Sequence, residues 1–399
     1  MTKLTVRDVD VKGKRVLMRV DFNVPLDEHL NITSDKRIQA ALPTIEYLVE
    51  RGARVVLISH LGRPKGKRIP DMSLKPAAAR LEELLGKPVV MAPDCIGPEV
   101  ERLVAEMQDG EVLLLENLRF YPEEEANDPD FSAKLARLGD VYVNDAFGTA
   151  HRAHASTVGV TQFFSQCASG FLMEKELAYL GGALEHPKRP FVAILGGAKV
   201  SDKMPVIENL LEKVDTLIIG GGMAFTFFKA QGKEIGKSLL DAERVAFARD
   251  AMARAGDTLV LPVDCVVTDH LDFEGRKVGA LKTVPTDAIP ADWEGVDIGP
   301  ETVRRFSNII AQAGTVVWNG PMGVFEIEET AKGTYAVAKA LAEATGKGTT
   351  SIIGGGDSAS AVKQAGVETQ MSHVSTGGGA SLEFLEGKVL PGVAALTDA

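Results

Sequence analysis

The chain is built on one repeated pattern: a short, almost purely aliphatic or β-branched run, then a polar or glycine loop, then a helical stretch. In the first half the runs are Arg15–Val20, Val55–Ile58, Val112–Leu115 and Val141–Val143. In the second they are Phe191–Leu195, Thr216–Ile219, Thr258–Leu261, Thr315–Trp318, Ser351–Ile353 and His373–Thr376. Continuous apolar runs of this length suit strands buried on both faces of a parallel sheet. Helical patterns at Lys75–Leu85, Val206–Leu211, Ala242–Ala255 and Thr330–Ala344 lie between them, so the chain reads as strand–helix units. A length of 399 residues, at about 100–200 per domain, makes two open α/β domains. The amphipathic stretch Leu172–Leu184 joins them, and Gly181-Gly182, which ends its pattern, is the candidate hinge.

The two halves carry different chemistry. Cut after His186, the first holds 13 Arg and 13 Gly, the second 7 Arg and 27 Gly. A net charge of −11 with 6% aromatics argues against a general basic face for nucleic acid. Any anionic ligand must be drawn in by a few placed cations. No run approaches the roughly 18 apolar residues of a membrane span, and the opening MTKLTVRDVDVKGKR lacks a signal-peptide core. Cys95, Cys167 and Cys265 form no C-x-x-C, which suggests a reducing cytosol rather than a disulfide framework. The expectation is a cytoplasmic protein that uses neither nucleic acid nor membrane.

In open α/β sheets, ligands bind beyond the carboxyl ends of the strands. In the first half these ends lead into Asp21-Phe22-Asn23, Ser59-His60-Leu61-Gly62-Arg63, Glu116-Asn117-Leu118-Arg119, and Asn144-Asp145 followed by His151-Arg152-Ala153-His154. Arg37 follows the polar loop Asn31–Asp35. Arginine forks match phosphate and carboxylate oxygens, and several from separate strands would suit a small polyanion. A single such arginine is more often a surface cation. His151, His154 and Asp145 could ligate a metal, but no nearby pair or cysteine completes the set.

In the second half the strand ends lead into glycine: Gly196-Gly197 with Lys199 and Lys203, Gly220-Gly221-Gly222, Asn319-Gly320, Gly354-Gly355-Gly356-Asp357-Ser358 and Gly377-Gly378-Gly379. Glycine lets backbone N–H groups approach a ligand, and a helix starting there adds its positive end. One such loop is often only a tight turn; five in one domain are harder to explain that way. The dinucleotide fingerprint G-x-G-x-x-G fails at three triplets, where Phe225, Ala359 and Leu382 take its last position. The P-loop pattern fails at Gln231, five residues before Gly236-Lys237-Ser238. Lys199 and Lys203, spaced i, i+4, are expected on one helix face, where they would neutralise charge during phosphoryl transfer. Asp357, in the first turn after a glycine loop, is set to hold a magnesium ion that also touches phosphates. The residues thus describe a two-substrate enzyme, with an arginine half gripping a small anion and a glycine half gripping a nucleotide. No serine or cysteine nucleophile with its own base stands out, which favours direct transfer. A hinged solute-binding protein has no use for the lysines and Asp357, and a nicotinamide dehydrogenase needs the missing fingerprint.

Over essentially its whole length the chain resembles the phosphoglycerate kinase family. The motifs are Arg19–Pro25, His60–Pro64, Glu116–Phe120, Asn144–His154, Gly196–Val200, Gly220–Ala224, Asp297–Pro300, Asn319–Glu326, Gly354–Ser358 and Thr376–Ser381. The resemblance implies two Rossmann-like three-layer α/β domains whose parallel sheets face each other across a hinged cleft. Their bounds would be 1–171 with the tail 387–399 for the acid substrate, 172–185 for the linker helix, and 186–386 for the nucleotide. It implies reversible phosphoryl transfer between 1,3-bisphosphoglycerate and ADP, giving 3-phosphoglycerate and ATP in glycolysis, with Mg2+, by a monomer. Carried over residue by residue, Asp21, Phe22, Asn23, Arg37, His60, Leu61, Gly62, Arg63, Arg119 and Arg152 would bind the acid. Gly197, Lys203, Gly221, Gly295, Asn319, Glu326, Gly354, Gly355, Gly356, Asp357 and Ser358 would bind the nucleotide, with Glu326 on the ribose. Arg37, Lys199, Gly355 and Gly378 would be catalytic, and Asp357 would hold the metal.

Overall fold

The computed structural model describes residues 2–399. The chain divides into two compact units, Met1–Ala178 with Val389–Ala399, and Tyr179–Lys388.

The first unit is a six-stranded, wholly parallel sheet. Its strands are β1 (Arg15–Arg19), β2 (Arg54–Ile58), β3 (Val89–Met91), β4 (Val112–Leu114), β5 (Val141–Asn144) and β6 (Cys167–Ser169), in the order β3-β4-β2-β1-β5-β6. β1, β2, β4 and β5 are buried almost throughout, as runs without polar alternation require. Helix Lys36–Glu50 buries Ile38, Ala41, Ile45 and Leu48, the 3-4-3 spacing of one helix face, against Val16, Met18, Val55 and Leu57. Helix Lys75–Leu85 keeps its expected bounds and stops at Gly86, whose φ of +62° caps it with an N–H donated to the Glu82 carbonyl. The C-terminal segment is stitched into this unit. Leu4 N–H donates to the Thr397 carbonyl at 2.8 Å, and Gly392 N–H to the Ala150 carbonyl at 2.8 Å.

The second unit holds another six-stranded parallel sheet: β7 (Phe191–Leu195), β8 (Thr216–Ile219), β9 (Leu259–Val260), then, after an inserted segment, β15 (Thr315–Asn319), β16 (Thr350–Gly354) and β17 (His373–Val374). Their order is β17-β16-β15-β7-β8-β9. Val192, Ile194, Val316 and Trp318 pack with Phe306, Ile310, Val337 and Leu341 from helices Pro300–Ala311 and Lys332–Gly346. The inserted segment forms β10 (Asp264–Thr268), β13 (Leu281–Pro285) and β14 (Glu294–Ile298), an antiparallel sheet, with the hairpin β11 (Leu271–Asp272) and β12 (Lys277–Val278) between them. Two parallel α/β sheets agree with the expected fold class; this antiparallel addition was not foreseen.

Three local expectations change. The helix expected to end at Gly181-Gly182 runs unbroken over Phe171–Glu185, and His186 N–H donates to the Gly182 carbonyl at 2.9 Å. Neither glycine has a positive φ, so neither breaks the ladder. Lys199 and Lys203 do not share a helix face. Both flank a single 3-10 turn, Val200–Asp202, with extended backbone at Lys199 and φ −121° at Lys203. Ala242–Ala255 starts as a 3-10 turn, Ala242–Arg244, and becomes α-helical over Val245–Ala255.

Candidate active site

Strand order locates the site before any side chain is considered. From β1 the chain goes to β2 on one side, and from β5 to β6 on the other, so the first sheet reverses between β1 and β5. In the second unit β7 leads to β8 and β15 to β16, and the reversal lies between β7 and β15. The carboxyl ends of strands at such reversals form the ligand crevice of open α/β sheets. They carry Asp21-Phe22-Asn23 and Asp145 in the first unit, and Gly196-Gly197 and Gly320 in the second.

In the first unit the loops hold one another in place. Phe22 N–H donates to Ser59 Oγ at 2.9 Å, and Gly62 N–H to Asn23 Oδ1 at 2.9 Å. Asn117, fully enclosed, accepts from Leu61 and Arg119 N–H and donates to the Leu61 and Met72 carbonyls. Arg37 Nη1 reaches both Asp21 oxygens, at 3.1 and 3.2 Å. Arg119 is buried; its Nη1 donates to the Gly62 carbonyl at 3.0 Å, and its Nε makes no hydrogen bond, with Glu125 Oε1 3.8 Å away. A buried guanidinium N–H without an acceptor costs free energy unless a ligand supplies one.

The charge balance agrees. Burial, then the charges of Arg19, Arg119 and Arg37, hold His60 well below the usual imidazole range. Burial, then Arg119, Arg19 and Arg152, push His154 down to about 4. Several cations therefore converge on one place, and both rings stay neutral. Arg152 and Arg63 are exposed; Arg152 contributes its charge to this cluster, whereas Arg63 makes no hydrogen bond or ion pair among the described residues. Asp145 does not join His151 and His154 as a ligand set. It is fully buried beneath helix Phe171–Glu185, and no group of three metal-ligating side chains occurs among the described residues. Sequence reasoning missed Arg19 as a member of this site. It ends β1, fully buried, and its position at a strand's carboxyl end was the available signal.

In the second unit the glycine loops wall a cavity of about 340 Å³. Gly197, Gly221, Gly295, Glu326 and Asp357 line it, with Phe225, Phe228, Leu239, Phe273, Val296 and Val324 as apolar walls that the sequence reading did not name. A largely apolar cavity lined by aromatic side chains and glycine suits a nucleotide base. Glycine is required at 221, where φ is +68° and a Cβ would stand 2.7 Å from both the Gly197 amide and the Pro321 carbonyl. The amides of Gly197 and Gly221 are already spent, however, donating to the carbonyls of Pro321 and Met322. These two loops shape the cavity and do not offer N–H groups to an anion. Available amides occur elsewhere. Helix Gly356–Gln364 starts after Gly355, and the N–H groups of Gly356, Asp357 and Ser358 meet no acceptor among the described residues.

Beside them, Lys203 Nζ donates to Asn319 Oδ1, Asn319 Nδ2 to the Gly354 carbonyl at 3.0 Å, and Gly320 N–H to Ser358 Oγ at 2.6 Å. Asn319, Gly354 and Ser358 thus tie together the ends of β15 and β16 and are not among the residues lining the cavity. Burial draws Lys203 below the usual lysine range, opposed by Asp202, Asp357 and Glu386. Lys199 is exposed on the loop after β7. Gly378, with φ +50°, precedes helix Gly379–Leu385. Asp357 is an exposed carboxylate on the cavity rim in a helix's first turn. A single carboxylate fits magnesium, which keeps most of its waters and takes further oxygens from bound phosphates. None of the cysteines is a nucleophile: burial raises Cys95 well above the usual thiol range, Cys167 to about 11 and Cys265 to about 12.

A cation cluster at one sheet reversal and a glycine-walled cavity with lysine and carboxylate at the other define a nucleotide-dependent phosphotransferase. The family model described as phosphoglycerate kinase matches residues 6–388. Phosphoglycerate kinase of Chlorobium phaeobacteroides is 58% identical over the full length of both chains. The cytosolic phosphoglycerate kinase of Triticum aestivum is 59% identical over 99% of this chain and 98% of its own. The solved structure of the Coxiella burnetii enzyme superposes with a TM-score of 0.89 at 42% identity, and that from Pyrococcus horikoshii with 0.83 at 36%; each match covers 98% of both chains. This chain belongs to the phosphoglycerate kinase family. Members of that family catalyse the reversible glycolytic transfer of a phosphoryl group between 1,3-bisphosphoglycerate and ADP.

Proposed function

We propose that this chain carries out the family's reaction by direct in-line transfer, the first unit holding the acid and the second the nucleotide. The observation that carries this reading is the contrast between the two sheet reversals: one gathers arginines around neutral histidines, the other gathers glycines, a half-buried lysine and a lone carboxylate. Arg37, Arg119 and Arg152 bind the acid's phosphate and carboxylate, with Asp21 fixing the Arg37 fork and Asn23 fixing the Gly62 loop. The base and ribose enter the apolar cavity, with Glu326 at the ribose. Lys203 and the amides of Gly356 and Asp357 face the nucleotide phosphates.

Lys199 neutralises charge on the moving phosphoryl group, which gains most in the transition state. Arg37 and the backbone at Gly355 and Gly378 complete the set around that group. Magnesium, held by Asp357 and the nucleotide's own phosphates, would supply further neutralisation of phosphate charge. No side chain has to form a covalent intermediate. The reading also takes the protein to be monomeric and cytoplasmic. No helix among the described residues is long and apolar enough to cross a membrane.

A coupled assay of ATP consumption with 3-phosphoglycerate tests the reaction. Calorimetric titration of the full chain with each substrate tests the division of labour. Loss of acid binding in first-unit variants with ADP binding intact is the expected result, and the reverse pattern would overturn it.

A further inference from the structure

Arg19 is the largest charged side chain with no exposure, and no carboxylate pairs with it directly among the described residues. Its guanidinium is spent on neutral acceptors. Nε donates to Ser156 Oγ at 2.9 Å and Nη1 to the Val20 carbonyl. Ser156 is itself fixed, its N–H donating to Glu124 Oε1 at 2.7 Å and its carbonyl accepting from the Tyr142 hydroxyl at 2.7 Å. Arg19 therefore cannot swing away from its third contact, Nη2 to His60 Nδ1 at 3.0 Å.

That contact decides the state of the ring. A guanidinium has donors only and keeps its proton at any working pH. The imidazole nitrogen facing it must accept, so Nδ1 carries no proton and the ring's one proton sits on Nε2. Nε2 has no hydrogen-bond partner among the described residues and is not sealed from solvent, although His60 as a whole is only 4% exposed. The charged groups facing His60 from the surrounding loops are Arg19, Arg119 and Arg37, with His154 beside them; the carboxylates near these cations sit on their far partners, Asp21 on Arg37 at 3.1 Å, Glu125 3.8 Å from Arg119, and the buried Glu124 near Arg19 and Arg119.

We propose that Arg19 is a positioning residue that locks His60 as the neutral tautomer protonated at Nε2, a fixed hydrogen-bond donor among the cations of the first unit's pocket. A neutral donor adds a directed bond to an anion's oxygen without adding charge where arginines already crowd. It also makes the pocket insensitive to pH between about 5 and 8, where a free histidine near 6.5 would change charge. The use of the donor by the acid substrate rests on the proposed function; the tautomer itself rests on Arg19 alone.

Nitrogen NMR of the full chain labelled at histidine reads the state of each ring nitrogen. From pH 5 to 8, His60 is expected to show an unprotonated Nδ1, a protonated Nε2 and no titration. In Arg19→Met both tautomers should appear and the ring should take up a proton at higher pH than in the wild type, while burial, Arg119 and Arg37 still hold it below a free imidazole; Arg19→Lys, which restores a donor, should recover the wild-type pattern in part. An imidazolium at pH 6 or a proton on Nδ1 in the wild type overturns the proposal, and this holds even where a variant fails to fold. Addition of 3-phosphoglycerate separates the two readings. A shift of the Nε2 signal supports the donor role, whereas an unmoved signal on a locked neutral ring removes His60 from the acid pocket and leaves the lock by Arg19 standing.

Discussion

Asp145 Oδ1 accepts a 3.1 Å hydrogen bond from the backbone N–H of Met173, in the first turn of helix Phe171–Glu185. The carboxyl is fully buried, and Gly170 leaves it room: a Cβ there would collide with it. Burial pushes Asp145 up to about 7, against the lowering effect of hydrogen bonds from Thr44, Met173 and Leu172. The folded chain thus holds a proton between about pH 4 and 7 that the unfolded chain gives up. Stability from this group falls as pH rises through that window, by on the order of 4 kcal/mol, and is level above it. Asp145→Asn should flatten this slope. Calorimetric unfolding of both proteins from pH 5 to 8 measures the difference, in which other buried acids such as Asp297 cancel. Parallel slopes would show that Asp145 is ionised throughout.

The arginines should separate by burial. Arg119 is enclosed and its Nε makes no hydrogen bond, so Arg119→Ala removes a buried cation with a donor left for an anion. Loss of a hydrogen bond to a charged group costs about 1.5–3 kcal/mol, or roughly ten- to a hundredfold in binding. Arg37→Ala and Arg152→Ala should fall in or below that range, all three with normal ADP affinity. Titration with 3-phosphoglycerate and with ADP checks this, and unchanged acid affinity in all three variants would remove the anion pocket.

Lys203 and Lys199 should differ because only one is half-buried and engaged. Lys203 lies against Asn319, next to Asp357, and Lys203→Ala should weaken ATP binding as well as turnover. Lys199 is exposed, and Lys199→Ala should lower kcat more than it raises KM for ATP, as expected for a charge acting mostly in the transition state. Steady-state kinetics with ATP varied decide it. Equal, mild effects at both positions would refute the division.

Asp357→Asn keeps shape and removes charge. The magnesium concentration for half-maximal rate should rise, while thermal stability stays near wild type because the side chain is exposed. An unaltered magnesium dependence would take Asp357 out of metal binding.

How much of this was legible depended on whether chemistry showed in local pattern. Strands such as Phe191–Leu195 and Thr216–Ile219 were readable to the residue because a strand buried on both faces is a plain apolar run. The two sheet reversals placed the expected loops at the ligand end. Burial against neighbours distant in sequence was not readable. Nothing in the run Arg15–Val20 distinguishes Arg15, paired with Asp140 near the surface, from Arg19, sealed beneath His60. Glycine runs announced a close-packed ligand region, but sequence could not tell that the amides of Gly197 and Gly221 would be consumed by Pro321 and Met322. The i, i+4 spacing of Lys199 and Lys203 misled because a 3-10 turn replaced the helix it presumed. The antiparallel β10, β13 and β14 were missed because β13 is almost wholly exposed and the buried β10 and β14 break their short apolar stretches with Asp264, Thr268 and Asp297.

Reacting atoms must approach to about 3–3.5 Å for in-line transfer, and water must be kept out. We expect the units to close on each other when both substrates are bound, with helix Phe171–Glu185 bending at Gly181-Gly182, its least stiff point. Both positions have ordinary helical backbone. A Cβ at Gly182 would meet nothing within 4 Å, and one at Gly181 would sit 3.9 Å from the Phe384 ring. Alanine fits at each, and by restricting the unfolded chain should stabilise by about 0.4–1 kcal/mol. The double variant Gly181→Ala/Gly182→Ala should therefore melt higher and turn over more slowly. Small-angle scattering should give the wild type its smallest radius of gyration with both substrates present, since a ligand shifts such an equilibrium only by its differential contacts. The double variant should compact less. A wild-type radius that is the same with and without substrates would rule out closure; a variant that compacts and turns over like the wild type would move the bend away from these glycines.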